Sequence, residues 1–471
     1  MFDILIKNST VITMNKQNEI ICSCDVGIKD GSITAIEQNI NGSAEKIIDG
    51  SERYLLPGFV NCHTHVYQAL IEGIGYDMHF NPWNIRYLIP IISNFNPYHA
   101  EVSAELAAIE MIKSGTTSFS DHWYLHTDFD NIEAATDAFN VSGLRNHMVF
   151  GFLNESFAGR KNSGSAQDVL KEDDELLNRA LDFVSRRQGW HRTTTGLGPG
   201  STEDVGTYLF RKIIALSRNL DVTVVTHIAG WVEIVSRSLE KYRLRDFEYA
   251  HSIGFTGEKS IALHGVWLSD DEIQIAADTG TKIVHNPVAN MHLGYGIAPV
   301  TQMLKAGIKV GLGTDGAASY TYDMLEIGKT AAMLQKASKM DAEALTAEKA
   351  LQMLTIDGAE VLGLEKIIGS VETGKKADLI LVDSTGSNML RGGRPVPKIV
   401  YSARGSDVLT SIVDGKIIME DKKVLTMNEE TVVGKANDCR AELIEKGGAA
   451  TEELLNAPWP EKGASWRRVN G

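Results

Sequence analysis

The sequence contains few cysteines, no long apolar run and no excess of positive charge. Four cysteines in 471 residues are too few and too scattered for a disulfide framework, as is typical of a reducing cytoplasm. No unbroken apolar run could span a bilayer, and the first residues form a strand-like pattern rather than a signal peptide. The formal net charge of -15 argues against nucleic acid, because phosphate backbones are bound by basic surfaces. We therefore expect a cytoplasmic protein that binds neither membranes nor nucleic acid.

Apolar residues make up 43% of the chain, and their spacing changes along it. Residues 1–56 contain short alternating stretches with a tight-turn signal at Lys29-Asp30-Gly31, which predicts a small antiparallel unit. From 57 to 365, short apolar runs alternate with helical periods. The strands predicted in this part are 59–65, 116–121, 147–154, 193–198, 222–227, 260–264, 282–285 and 309–315.

These eight strand–helix alternations have the number and length of a (β/α)8 barrel. Strands return in residues 366–428, and strands at both chain ends fold most simply into one small β-sandwich. Residues 429–471 carry apolar side chains at helical spacing, so we predict a helical tail packed on the barrel or on another subunit. The predicted fold class is therefore α/β, with a TIM barrel at 57–365 and a β-sandwich built from 1–56 and 366–428.

The segment 56–65 (LPGFVNCHTH) ends a buried strand in two histidines. Residues i and i+2 of a strand point to the same side, so His63 and His65 would project together. Two adjacent imidazoles can bind one divalent metal ion. Taken alone, the pair is equally well explained as two ordinary polar loop residues.

Polar residues also end the last four predicted strands of the barrel: His227, His264, His285 and Asp315. The carboxyl ends of all strands meet at the mouth of a (β/α)8 barrel. A single buried histidine is more often structural than a ligand. Because all of these side chains occupy equivalent strand ends, together with the His-Thr-His segment, the sequence predicts a metal site at the barrel mouth.

The chain resembles the metal-dependent amidohydrolase superfamily, in the branch of the methylthioadenosine/S-adenosylhomocysteine deaminases and the triazine hydrolases. The resemblance covers almost the whole chain. Its motifs are 56–65 (LPGFVNCHTH), 114–117 (SGTT), 285–287 (HNP), 311–316 (GLGTDG) and 369–379 (GSVETGKKADL). These motifs are specific for the superfamily and the branch, and much less specific for the substrate.

The resemblance implies a metal centre and a set of catalytic residues. One divalent ion, zinc or else iron, would be held by His63, His65, His227 and Asp315. The ion lowers the pKa of a bound water, and the resulting hydroxide attacks an electrophilic ring carbon. Asp315 would also take the proton of the water, and His264 would orient the hydroxide. His285 would hydrogen-bond the heterocycle, although capping the turn at 286–287 explains it nearly as well.

Three positions depart from the branch. The family Glu, three residues after the fifth-strand histidine, is replaced by Gly230. Glu155, at the end of the third strand, or Glu233 could take over its proton transfer, and we predict Glu155 because strand-end side chains point into the mouth. Two polar side chains with which the nucleoside deaminases recognise their substrates are also absent. Ile92 and Gly200 occupy these two positions.

Aromatic residues near the strand ends suggest a pocket for a flat ring. We predict substrate contacts from Trp83, Tyr67, His122 and Trp231, with Tyr124 beside them. Each aromatic side chain, taken singly, is more often a packing residue than a ligand contact.

The sequence therefore favours a metal-dependent aminohydrolase of a small nitrogen heterocycle, and we expect a homo-oligomer. A related hydrolase that expels chloride or an alkylamine, or opens a cyclic amide, is the alternative among enzymes. A catalytically silent paralogue that binds a heterocycle is the alternative of another class. The complete ligand set speaks against the paralogue.

Overall fold

The protein is described by a computed structural model over residues 1–155 and 169–456. Its strands form two sheets, one from both chain ends and one from the middle of the chain. In chain order the strands are β1 (Phe2–Ile12), β2 (Ile20–Lys29), β3 (Ser32–Glu37), β4 (Ala44–Asp49), β5 (Arg53–Pro57), β6 (Phe59–Thr64), β7 (Thr116–Trp123), β8 (Arg145–Phe152), β9 (Thr193–Pro199), β10 (Thr223–Ile228), β11 (Ser260–His264), β12 (Lys282–His285), β13 (Val310–Leu312), β14 (Leu379–Asp383), β15 (Val408–Val413), β16 (Lys416–Glu420) and β17 (Lys423–Val424).

Helices connect the barrel strands and form the tail. They are α1 (Phe80–Pro82), α2 (Ile89–Ile92), α3 (Pro97–Lys113), α4 (Asp130–Ser142), α5 (Asp173–Arg187), α6 (Thr207–Leu220), α7 (Val232–Tyr242), α8 (Asp246–Ser252), α9 (Asp270–Thr279), α10 (Pro287–His292), α11 (Val300–Lys305), α12 (Met324–Lys339), α13 (Ala347–Leu354), α14 (Ile356–Leu362), α15 (Pro395–Tyr401), α16 (Glu429–Lys446) and α17 (Gly448–Asn456). In the two described ranges, no helix is long and apolar enough to cross a membrane.

The eight strands β6 to β13 lie side by side in sequence order and run parallel. The first and last strands meet beyond their regular ends, where Asp315 N donates to His63 O at 3.0 Å. Thr64 Oγ1 donates to Asp315 O at 3.0 Å at the same place. This arrangement confirms the predicted TIM barrel, and it closes the barrel beside two of the predicted metal ligands.

Both chain ends build the second, nine-stranded sheet, as predicted. Successive side chains along its strands alternate between two cores. Leu55, Leu379 and Leu381 lie in a small core formed by the terminal segments. Their neighbours Leu56 and Ile380 belong to the main core, which includes the barrel helices. The period of two therefore gives this sheet one inner face and one face against the barrel.

One part of this sheet differs from the antiparallel unit that we expected. The strand β4 (Ala44–Asp49) pairs parallel to β1, and β5 does the same. We did not predict β4, because its sequence, 44–49 (AEKIID), shows no alternation of apolar and polar residues.

Side-chain caps fix the starts of two helices. Asn96 caps α3 by accepting from His99 N at 3.0 Å, with Pro97 at the first helical position. Ser269 and Glu272 form a capping box at α9. In the tail, α16 packs on the barrel of its own chain, where Lys435 pairs with Glu105 of α3. Residues 457–471 of the predicted tail lie outside the described residues.

Candidate metal centre

Four side chains converge at the barrel mouth. His63 lies in β6, His65 directly after it, His227 in β10, and Asp315 just after β13. One nitrogen or oxygen atom from each lies within 4.8 Å of every other, and all four residues are buried. The structure thus brings together the four residues that the sequence proposed as metal ligands.

Backbone carbonyl groups orient two of the imidazoles. His65 Nδ1 lies 2.7 Å from the carbonyl oxygen of His122, and His227 Nδ1 hydrogen-bonds the carbonyl oxygen of Gly200. Each Nδ1 must therefore carry the proton, which leaves a lone pair on each Nε2. The two Nε2 atoms lie only 3.2 Å apart. Two facing lone pairs repel each other, so this contact suits a cation placed between them.

The separations of the ligand atoms agree with one small tetrahedral ion. Asp315 Oδ1 lies 3.3 Å from His65 Nε2 and 3.4 Å from His63 Nε2. A tetrahedral ion with bonds of about 2.0–2.1 Å places neighbouring ligand atoms roughly 3.3 Å apart. His63 Nε2 has no hydrogen-bond partner among the described residues. The donor set and its spacing therefore fit zinc.

The electrostatics favour the ligand forms of these groups. Burial, and then the neighbouring His63, lower the pKa of His65 well below its usual value. The same two causes lower the pKa of His227. Burial opposes ionisation of Asp315, but interactions with His63 and His264 hold its pKa far below the usual range. Neutral imidazoles and an ionised carboxylate are the protonation states that bind metal.

His264 lies beside the cluster, and a hydrogen bond to Asn290 orients its ring. Its Nδ1 lies 2.8 Å from Asn290 Oδ1, so Nε2 faces the site, 3.8 Å from Asp315 Oδ2. Both His264 and Asp315 have positive φ angles, 72° and 64°. Non-glycine residues seldom adopt this conformation, and it costs of order 1–3 kcal/mol each. The barrel closure at Thr64 helps to hold Asp315 in it.

An aromatic cavity of about 30 Å³ opens onto the cluster. Trp83, Tyr124 and Trp231, all named from the sequence, line it together with His65, His227, His264 and Asp315. A groove of about 430 Å³ lies outside the cavity and shares Phe80, Trp231, Leu293 and Tyr295 with it. These four side chains therefore form a wall between the inner cavity and the outer groove.

Four of the predicted catalytic and substrate-contact residues do not line this cavity. Tyr67 is fully buried, with its ring 5.6 Å from that of His65. His122 places Nε2 3.0 Å from Gly198 O, and burial lowers its pKa to about 3. His285 is fully buried, and neither ring nitrogen has a hydrogen-bond partner among the described residues.

Glu155 is the fourth. Its side chain is 45% exposed and pairs with Lys241 of α7 at 3.1 Å. Glu233, the other substitute considered, is exposed in the first turn of the same helix. The structure therefore brings neither carboxylate to the cavity.

Sequence reasoning missed several cavity residues: Gln68, Phe80, Ser201, Asp204, Leu293, Tyr295 and Ala318. Most lie in loops, where no periodic pattern marks an inward side chain. Asp204 had a usable signal, because it follows the end of β9 by five residues and carries a carboxylate. The strand-end rule that found Asp315 would have found it too.

The comparisons with known proteins agree with this geometry. The sequence profile of the amidohydrolase family matches residues 54–418. A 5'-deoxyadenosine deaminase of Methanobrevibacter smithii is 38% identical over 445 residues, which cover 94% of this chain and 98% of that protein. A 5-methylthioadenosine/S-adenosylhomocysteine deaminase of Carboxydothermus hydrogenoformans is 35% identical over 447 residues, 94% of this chain and 98% of that one.

The fold has solved counterparts as well. The crystal structure of an adenosine deaminase from Xanthomonas campestris with bound zinc superposes with a TM-score of 0.88 at 25% identity. That match covers 94% of this chain and 98% of the other. All three similarities extend over nearly the whole of both chains.

Proposed function

Since the chain belongs to the amidohydrolase family, we propose that it is a metal-dependent aminohydrolase that releases ammonia from an amino-substituted nitrogen heterocycle. The convergence of three imidazoles and Asp315 on one point of an aromatic cavity carries this proposal. The deaminase names of the relatives support the same reaction. We further propose one ion per chain, zinc, and a homo-oligomer in the cytoplasm.

Each part of the site has a role in this reaction. A bound divalent ion supplies the Lewis acidity that lowers the pKa of a water molecule. Asp315 accepts a proton of that water, and His264, whose Nε2 lies 3.8 Å from Asp315 Oδ2, holds the attacking oxygen by a hydrogen bond. Trp83, Trp231 and Tyr124 hold the flat ring and exclude bulk water.

The substrate is expected to differ from methylthioadenosine and S-adenosylhomocysteine. Ile92 is 1% exposed and packs in the main core, so no polar group reaches the cavity from that position. Gly200 has no side chain, so the second polar contact to the substrate is absent as well. A site that lacks such hydrogen-bond partners loses up to about 10⁴–10⁵-fold in discrimination. Efficient deamination of either nucleoside would contradict this reading of Ile92 and Gly200.

A second reaction is favoured by one observation, the glycine at position 230. Expulsion of chloride or an alkylamine, or opening of a cyclic amide, needs less protonation of the ring than loss of ammonia. An enzyme without the family Glu could perform such a reaction directly. This candidate becomes the better one if no other carboxylate serves the site.

A screen for released ammonia, combined with metal analysis, tests the proposal. The purified protein should contain about one zinc ion per chain and release ammonia from at least one purine, pterin, pyrimidine or triazine. The same panel with chloro and alkylamino substituents tests the second candidate. Two tightly held ions, full activity after thorough chelation, or zinc without any turnover would each overturn the proposed function.

A further inference from the structure

The position of the family Glu is vacant here but still faces the site. A Cβ atom built on Gly230 would lie 3.4 Å from the ring of His264, which is ordinary contact. A carboxylate at this position would thus reach the reacting atoms. General acid–base help of this kind contributes about 10²–10⁴-fold to a rate. Proton transfer must therefore come from another side chain if the enzyme releases ammonia.

Asp204 is the remaining carboxylate in the wall of the cavity, among the residues in the described ranges. The residue is 5% exposed and lies in the loop after β9. Its carbonyl oxygen accepts hydrogen bonds from the backbone N–H groups of Asn154 and Glu155, at 3.1 and 2.9 Å. Ser201 Oγ donates to Asp204 Oδ2 at 2.8 Å. The carboxylate is thus fixed from both its backbone and its side chain.

A second glycine, Gly200, leaves the space that the carboxylate of Asp204 occupies. A Cβ atom at Gly200 would lie 2.8 Å from Asp204 Oδ2 and 3.1 Å from its Cβ, too close for any other residue without a shift. The carbonyl group of Gly200 also holds the metal ligand His227. Ser201, which holds the carboxylate of Asp204, is therefore the next residue after Gly200, which orients His227. Glycine at position 200 thus lacks the polar side chain of the nucleoside deaminases and at the same time leaves room for the carboxylate of Asp204.

We propose that Asp204 is the catalytic residue that transfers a proton to the ring nitrogen of the heterocycle, in the role that we first predicted for Glu155. This inference rests on the proposed function. Asp315 takes one proton of the attacking water as the C–O bond forms, and the carboxylate of Asp204 transfers the remaining proton from the new hydroxyl group to the ring nitrogen. Asp315 then passes its proton to the amino nitrogen. The C–N bond breaks with its electron pair on nitrogen, and ammonia leaves.

Kinetics of Asp204→Asn, compared with wild type, test the assignment. We expect kcat and kcat/KM to fall together by about 10²–10⁴-fold, with an unchanged zinc content. The pH dependence of kcat should also lose one limb, which a merely structural residue would not cause. Glu203→Gln is the matched control, because that neighbouring carboxylate pairs with Arg237 and should keep activity within threefold.

The opposite results are equally clear. A loss below tenfold in Asp204→Asn, a parallel loss of zinc, an unchanged pH profile, or a larger loss in Glu155→Gln would each overturn the role of Asp204. Absence of any turnover by the wild-type protein would instead overturn the proposed function and, with it, this inference. The two failures are therefore distinguishable.

Rescue provides a second, independent measurement. In the Asp204→Asn background, Gly230→Glu places a carboxylate beside His264, where the new Cβ atom would make ordinary contact with the imidazole ring. We expect at least a tenfold recovery of kcat. A double variant that binds zinc and shows no recovery would contradict the idea that the two positions share one role.

Discussion

At the scale of residues, the hydrogen bonds of the proposed metal ligands favour metal binding. The carbonyl groups of His122 and Gly200 fix the protons of His65 and His227 on Nδ1. The cluster is therefore preorganised for a cation, and removal of one member leaves too few ligands for tight binding.

We expect His63→Ala and Asp315→Ala to lose the bound ion and to reduce kcat by at least about 10³-fold while the barrel stays folded. Elemental analysis, ammonia release and far-ultraviolet circular dichroism check the three parts. His251→Ala, on the exposed surface of α8, is the control and should retain zinc. Retention of a full equivalent of zinc by either ligand variant would refute the ligand set.

Single residues were predictable from the sequence where a strand end dictates their direction. His63, His227 and Asp315 follow apolar strands, so the barrel geometry places them at one mouth. Leu293 and Tyr295 lie in a loop, and the path of a loop depends on contacts that no local pattern encodes. The choice of Glu155 as replacement carboxylate used the strand-end rule, but Lys241 draws its side chain outward.

At the scale of elements, α16 fastens the tail to the barrel by its buried face, formed by Val432, Ala436, Cys439 and Leu443. The helix contains an exposed glycine, Gly434, and a Cβ atom there would meet nothing within 4 Å. Glycine inside a helix costs about 1 kcal/mol relative to alanine.

Gly434→Ala should therefore raise the free energy of unfolding by up to about 1 kcal/mol, because alanine has less unfolded-state freedom to lose. Urea unfolding measures the change. Gly58→Ala is the contrasting variant: its Cβ would lie 2.1 Å from two atoms of Thr117, so it should destabilise the fold. A stabilising Gly58→Ala would contradict the close contact between Gly58 and Thr117 of β7.

The same helix faces a half-buried acid, Glu72. Burial first, and then the charge of Glu110, raise the pKa of Glu72 to about 8, while Arg440 of α16 opposes the rise. A carboxyl group whose folded pKa is raised binds more protons in the folded than in the unfolded state. Its stabilising contribution is therefore complete at low pH and is lost as the pH rises from about 4.5 to about 8.

We expect Glu72→Gln to weaken this pH dependence, because glutamine stays neutral. Urea midpoints at pH 6 and pH 9 should differ less in the variant than in wild type. Arg440→Gln, which removes the opposing charge, should enlarge the difference. Identical pH dependence in Glu72→Gln and wild type would show that ionisation of Glu72 does not change the free energy of unfolding.

For the molecule as a whole, the proposed metal centre brings distant strands together. Its proposed ligands come from β6, β10 and the end of β13, so an ion bound by all of them would link the first, fifth and eighth barrel strands. A ligand that binds the folded state alone adds about 2.7 kcal/mol at 100 times its Kd.

Removal of zinc should therefore lower the Tm by several degrees, and readdition should restore it. Calorimetry of the chelated and reloaded protein measures the shift, with Asp315→Ala as the control that should not respond to zinc. An unchanged Tm after verified metal loss would show that the barrel closes without help from the ion.

The closure of the barrel also sets an order of events in time. Thr64 and Asp315, which meet there, are 251 positions apart in the chain. Synthesis at about 5–20 residues per second separates their appearance by roughly 10–50 s. During this interval His63 and His65, joined by His227 once the fifth barrel strand is made, lack their carboxylate partner. With the proposed ligand set, four-ligand binding of the ion is thus a late step of maturation, after translation has passed the eighth barrel strand, and a chain interrupted before that strand would lack the carboxylate ligand.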